Sequence, residues 1–72
     1  MKVIDAIRHT KAEGLYVAVA FNHSANSPWV MSPRKKDGLT IADVEKCMYN
    51  KVSGFELLQN KENGELCMVF LI

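Results

Sequence analysis

Leu15-Tyr16-Val17-Ala18-Val19-Ala20-Phe21 alternates larger and smaller side chains with a period of two. Leu15, Val17, Val19 and Phe21 fall on one side and Tyr16, Ala18 and Ala20 on the other, which is the pattern of a β-strand. The chain before it has another period. Between Lys2 and Glu13, Val3, Ile4 and Ile7 recur at three- and four-residue steps among Asp5, Arg8, His9 and Glu13, which predicts a helix. Gly14 stands where a left-handed helix cap is wanted. No capping side chain precedes this helix, so its first turn is expected to fray.

Downstream, Asn22 to Pro28 has loop composition, and Trp29-Val30-Met31 is long enough for a short strand. Pro33, which has no N–H to give a ladder, is expected to stop that strand, leaving Arg34 to Gly38 as a charged turn. The second helix is better signalled. Thr40 is the N-cap, Asp43 completes a capping box, and Leu39 is spaced to pack on Val44 as a hydrophobic staple. Ile41, Val44, Cys47 and Met48 form its apolar stripe, and the helix is expected to end near Asn50 or Lys51.

The chain closes on a hairpin, with Phe55 to Asn60 and Glu65 to Ile72 flanking Asn63-Gly64. A two-residue turn there sets Phe55 opposite Ile72, Leu57 opposite Phe70 and Gln59 opposite Met68. That register also opposes Glu62 and Glu65, a like-charge pair, and a longer Lys61 to Gly64 loop is the competing reading. Leu66 to Ile72 is apolar on both faces. It reads as a central strand, because at a sheet edge it would need covering. Gly14-Leu15-Tyr16-Val17 and Gly54-Phe55-Glu56-Leu57 echo each other, each opening a strand after a helix. The expected fold is a single two-layer α+β domain over residues 1–72: an antiparallel four-stranded sheet with two helices, in the order α-β-β-α-β-β.

Seventy-two residues leave room for one core. Hydrophobic residues are 49% and charged residues 24% of the chain, the balance of a folded globular domain and not of a disordered one. No apolar run approaches the ~20 residues that a membrane helix needs. The net charge is +1, too small for long-range steering. Residues 1–52 carry eight cations against five anions, and residues 53–72 one against three. Cys47 and Cys67 are the two cysteines. The N-terminus lacks the apolar stretch of a signal peptide, so the expectation is a cytoplasmic protein with two reduced, partly buried thiols.

If both helices cover one side of the sheet, they cover Leu15, Val17, Val19, Phe21, Phe55, Leu57, Met68, Phe70 and Ile72. The second side then displays Tyr16, Ala18, Ala20, Leu58, Cys67, Val69 and Leu71, with Glu56 and Asn60 as its clear polar members. A solvated face would carry more charge, and an apolar patch of this kind suggests an association surface. The expected contact residues are Tyr16, Ala18, Ala20, Trp29, Leu58, Val69 and Leu71, with the Asn22 to Trp29 loop beside them. The partner is another protein or a second copy of the chain, for which a two-fold dimer is the commonest solution. The alternative is a monomer that buries the same residues itself, with one helix on each side or a curled sheet.

Other chemistries find less support. Cys47, Cys67, His9 and His23 are scattered singly, without metal-ligand spacing. The four glycines are isolated, so no phosphate loop exists. His9 lies one turn from Asp5 and Glu13 on a solvated helix face. His23 lies among Asn22, Ser24, Asn26 and Ser27, but no nucleophile elbow or placed acid accompanies it. Asn22-His23-Ser24 matches a glycosylation sequon, which has no consequence in a cytosolic protein. Ser32-Pro33-Arg34-Lys35-Lys36 resembles the SPKK-type minor-groove elements of histone tails over five residues, departing at Arg34. That resemblance implies a nucleic-acid module in which Arg34, Lys35 and Lys36 meet phosphates and Trp29 stacks on a base. Three cations supply little affinity at cellular salt. The favoured expectation is therefore a small non-enzymatic interaction module of regulator or inhibitor type, with no cofactor, no metal and no membrane contact. Nucleic-acid binding stands second, and a small enzyme using His23 third.

Overall fold

A computed structural model describes residues 1–10, 14–21 and 29–72. The expected Asn22 to Pro28 loop, His23 with it, lies outside the described residues. The elements follow the expected order: α1 (Val3–His9), β1 (Tyr16–Ala20), β2 (Trp29–Lys35), a 3-10 turn (Lys36–Gly38), α2 (Ile41–Val44), β3 (Gly54–Gln59) and β4 (Leu66–Leu71). The fold is a small α+β arrangement of a four-stranded sheet and two helices.

The sheet is mixed, not purely antiparallel. Its strand order is β2-β1-β4-β3. The β1–β2 and β3–β4 pairs are antiparallel, whereas β1 and β4 run parallel, with Val17 beside Met68 and Val19 beside Phe70. Hydrophobicity decides this. Ala18 and Val19 in β1 and Val69 and Phe70 in β4 bury side chains on both sides of the sheet, so these two strands take the centre, as continuous apolar strands do. Their polar-flanked partners are left at the edges. Leu66 to Leu71 is thus a central strand, as its composition predicts.

One layer of core lies between the helices and the sheet. Val3, Ala6 and Ile7 of α1 pack with Val17 and Val19 of β1, Met31, Val44, Cys47 and Phe70. Val3, Val17 and Val19 are completely buried, and each such side chain contributes about 1.5–3 kcal/mol. The stripe Val44, Cys47 and Met48 faces this core as expected, but Ile41 stays exposed.

Both helices are shorter than their periodicity implies. α1 ends at Thr10, whose hydroxyl donates to the Ala6 carbonyl at 2.9 Å. Gly14 follows with φ +72°, the left-handed conformation expected of it. The first turn of α1 does not fray. The Val3 amide donates to the Asn50 carbonyl at 2.9 Å, and the Ile4 amide to the Met48 carbonyl at 3.0 Å. The segment after α2 thus gives two carbonyls to the orphan amides of α1 and ties the two helices together. It continues as turns, with Cys47 donating to Val44 and Asn50 to Cys47, both at 3.0 Å. The cap of α2 forms as read: the Thr40 amide donates to Asp43 Oδ2 at 2.9 Å.

The β3–β4 hairpin takes the longer loop. Phe55 opposes Phe70, Leu57 opposes Met68 and Gln59 opposes Leu66, a two-residue shift from the tight-turn register. The shift leaves every side chain on its expected face, because only an odd slip reverses a strand. It also removes the Glu62–Glu65 opposition. The Asn60 amide donates to the Glu65 carbonyl at 2.8 Å, and the Gly64 amide to the Asn60 carbonyl at 2.8 Å. Asn60 Oδ1 and Asn63 Oδ1 accept from the Glu62 and Glu65 amides, at 2.8 and 2.9 Å. Gly64 takes φ +71° to close the loop.

β2 does not stop at Pro33 but runs on to Lys35, so Arg34 and Lys35 belong to the strand. Its register against β1 slips twice, between Val17 and Val19 and between Val19 and Ala20. Each slip adds a residue to β2, a bulge of the sort that edge strands accommodate. Pro33 is tolerated because it lies on an edge beside such a bulge.

Candidate protein-binding surface

The second side of the sheet is apolar, as its sequence implies, but most of it is not open. Ala18, Ala20 and Val69 form a buried cluster with Cys67 and Leu71 packed against it. Ala18 is 0% exposed and Val69 2%. These three residues are therefore not accessible contacts, which corrects their place in the expected set: the chain shelters them itself. Tyr16 and Leu71 are half-buried. Only Trp29 and Leu58 keep a large exposed fraction, 45% each.

Trp29 reaches this side because of the β2 bulges. It opposes Ala20, while Met31, two residues on, opposes Val19 and packs in the helix-side core. Tyr16, Trp29, Pro33, Leu58, Leu66 and Cys67 line an open concavity of about 390 Å³, within the range of small binding clefts. Burial pushes the Cys67 thiol up from its ordinary pKa, and does the same for Cys47 in the helix-side core. Both cysteines are free, on opposite sides of the sheet. A thiol raised in this way is a poor nucleophile near neutral pH.

The larger exposed apolar surface lies on β3. Phe55 is 68% and Leu57 56% exposed, although both were expected beneath the helices. Their side chains do point to the helix side, opposite Phe70 and Met68. A seven-residue helix spans only about 10 Å, however, and the core it covers stops at β4. Leu58 is exposed on the other side of the same strand, and Leu66 is exposed next to Gln59. One signal in the sequence points this way. Phe55 and Leu57 lead directly into Gln59-Asn60-Lys61-Glu62, a polar run that suits a peripheral strand.

β3 is also an edge strand, with no strand beyond it among the described residues. The Asn60–Glu65 bond sets the phase of the ladder. Even-numbered residues of β3 turn their amides and carbonyls toward β4, and Phe55, Leu57 and Gln59 turn theirs outward. β3 thus offers three outward donor–acceptor pairs between exposed apolar side chains.

The basic segment does not converge on one surface. Arg34 opposes Val17 on the helix side, and its Nε lies 3.5 Å from Asp43 Oδ1. Trp29 and Lys35 oppose Ala20 and Tyr16, on the second side, and Lys36 starts the 3-10 turn. The Thr40 amide donating to Asp43 holds that carboxyl below its ordinary range. Desolvation opposes this shift, and the Thr40 hydroxyl and Arg34 add to it. His9 is exposed on α1. Among the described residues no group of three or more metal-ligating side chains occurs, and no helix is long and apolar enough to cross a membrane.

No family model, curated protein or solved structure matches this chain.

Proposed function

We propose that this chain is a small non-enzymatic interaction domain that binds protein through its β3 edge, with the Trp29–Leu58 concavity beside it. The reading rests on one observation: Phe55 and Leu57 are exposed on one side, and Leu58 on the other, of a strand whose outward amides have no ladder partner among the described residues. Exposed apolar side chains in a row are uncommon on isolated domains and mark association surfaces. Free main-chain groups between them let an extended partner strand add to the sheet. The hydrogen bonds supply affinity, and the side chains at Phe55, Leu57 and Leu58 supply selectivity. A role as a regulator or inhibitor of the bound protein fits a domain that acts through a surface.

Nucleic-acid binding is less favoured because Arg34 is turned away from Trp29 and engaged by Asp43. The test is site-specific photocrosslinking in cells that express the protein, with a benzophenone side chain at Leu57, at Leu58 and, as a control, at Lys46 on the exposed surface beyond α2. The expected result is discrete protein adducts from Leu57 and Leu58 and none from Lys46. Adducts to nucleic acid, or none from the β3 positions, would remove the proposal.

A further inference from the structure

We infer that the β3 edge pairs with the β3 edge of a second copy of this chain, antiparallel across a two-fold axis at Leu57. This inference rests on β3 being the contact surface, and three features of the fold select the occupant.

The first is the state of the other edge. Strand addition between copies can join β3 to β2 or β3 to β3. A β3–β2 contact is head-to-tail and would propagate into a filament. β2 is closed to it: Pro33 lacks an N–H, two bulges break the line of amides, and Arg34 and Lys35 are exposed. The β3–β3 pair remains, and it closes on itself.

The second is register. Phe55, Leu57 and Gln59 face outward, so each must meet an outward residue of the partner. With the axis at Leu57, Leu57 opposes the partner's Leu57 and Phe55 opposes the partner's Gln59. All three outward residues of both copies are then paired, giving six main-chain bonds. Glu56 opposes the partner's Leu58. Moving the axis to Glu56 sets two like charges directly opposite each other, which is unfavourable. Moving it to Leu58 carries Phe55 past the strand end to the partner's Lys61. In the favoured register Phe55 lies over the partner's Gln59, on the side where Leu66 is exposed.

The third is coverage. Phe55, Leu57 and Leu66 are exposed on one side of the sheet and Leu58 on the other, so a partner strand laid against β3 covers apolar surface on both sides. The pair would form one eight-stranded sheet with Phe55 and Leu57 of both copies in a continuous strip.

The test combines sedimentation with disulfide trapping of the full chain. Expected are a reversible monomer–dimer equilibrium and its loss in Leu57→Lys, whose urea midpoint should match the parent's at concentrations where the parent is monomeric. In a Cys67→Ser background, Leu57→Cys should cross-link on oxidation at least tenfold faster than Phe55→Cys. In this register residues 57 of the two copies lie about 5.5 Å apart at Cα, within disulfide reach, whereas residues 55 lie about 14 Å apart. A dimer that survives Leu57→Lys, or equal trapping at 55 and 57, overturns the inference. A chain that stays monomeric at millimolar concentration also overturns it. If such a monomer still gives heterologous adducts from Leu57 in cells, the interaction reading stands and only the self-pairing falls. If it gives none, both fall.

Discussion

The two edges of this sheet are built in opposite ways. β2 carries Pro33, two bulges and the exposed cations Arg34 and Lys35. β3 has neither proline nor Lys/Arg; it carries Phe55, Leu57 and Leu58 exposed in an unbroken six-residue ladder. Edge strands are aggregation hazards, and proline, bulges and charge are the usual protection. Only β2 has the proline and the bulges, whereas β3 has Glu56 as its one charge. A sheet open at both edges would polymerise, and one closed at both would bind nothing through its main chain. One closed edge and one open edge permit pairing and limit it to a single event.

The sharpest contrast is within one cross-strand pair. Phe55 and Phe70 face each other across β3 and β4, yet Phe70 is buried in the helix-side core and Phe55 is exposed. Phe70→Ala should cost about 3–5 kcal/mol of folding stability, the range for a truncated core phenylalanine. Phe55→Ala should cost the monomer less than about 1 kcal/mol, the scale of a single cross-strand contact, while weakening association. Urea unfolding of both variants checks this. Equal losses would mean that β3 is as well packed as the centre.

The next contrast is between neighbours on β3. The Glu56 amide faces β4, and the Leu57 amide faces outward. Glu56→Pro should lower stability by about 2–3 kcal/mol, by removing a ladder bond and forcing the ring against β4. Leu57→Pro should leave the monomer's unfolding free energy within about 0.5 kcal/mol of the parent and abolish strand addition. If both prolines destabilise alike, the assigned phase of the outward amides is wrong.

These contrasts also mark where the sequence was informative. Side-chain alternation placed Val17, Val19, Met68 and Phe70 on one face and Ala18, Ala20 and Val69 on the other, and each lies there. Alternation survives a two-residue register error, which is why the wrong hairpin turn misplaced no side chain. The periodicity could not say how far each helix extends. Beyond Val44 the chain continues as turns, and its Met48 and Asn50 carbonyls accept from the Ile4 and Val3 amides, tertiary bonds that no local pattern encodes. Nor could it say which strands lie outermost. Phe55 and Leu57 read as core because they point to the core side; their exposure follows from β3 lying beyond the reach of short helices. Ala18 and Val69 read as open because their face is apolar, and the chain covers them.

Opening the protected edge is a smaller perturbation. Pro33→Val restores an N–H in the middle of β2 and adds a good strand residue. The monomer's stability should change by less than about 0.5 kcal/mol, as for an ordinary surface substitution. Dynamic light scattering should nevertheless show slow growth beyond a dimer, because β2 then accepts a neighbour's β3. Growth should vanish when Leu57→Lys is added. If Pro33→Val stays as well behaved as the parent, the bulges and cations alone protect β2 and the proline is incidental.

The smallest effect concerns the corner where β2 meets α2. Asp43 accepts from the Thr40 amide and lies beside Arg34, and the carboxyl is held below its ordinary range. A depressed folded-state value means that the charged form is favoured by folding. The contribution is therefore complete above the unfolded value of about 4 and is lost as pH falls through the lower folded value. Protonation weakens the cap of α2 and releases Arg34 from its partner. The urea midpoint of the parent should fall slightly faster than that of Asp43→Asn as pH drops below about 4, with a constant difference between the two above about pH 5. The pair is exposed and screened, so the difference should also shrink at high salt. Parallel pH profiles would show that Asp43 serves the cap through neutral hydrogen bonding alone. Arg34 would then be held on the helix side by the bulged path of β2 and not by charge, and the protection of that edge would rest on backbone geometry.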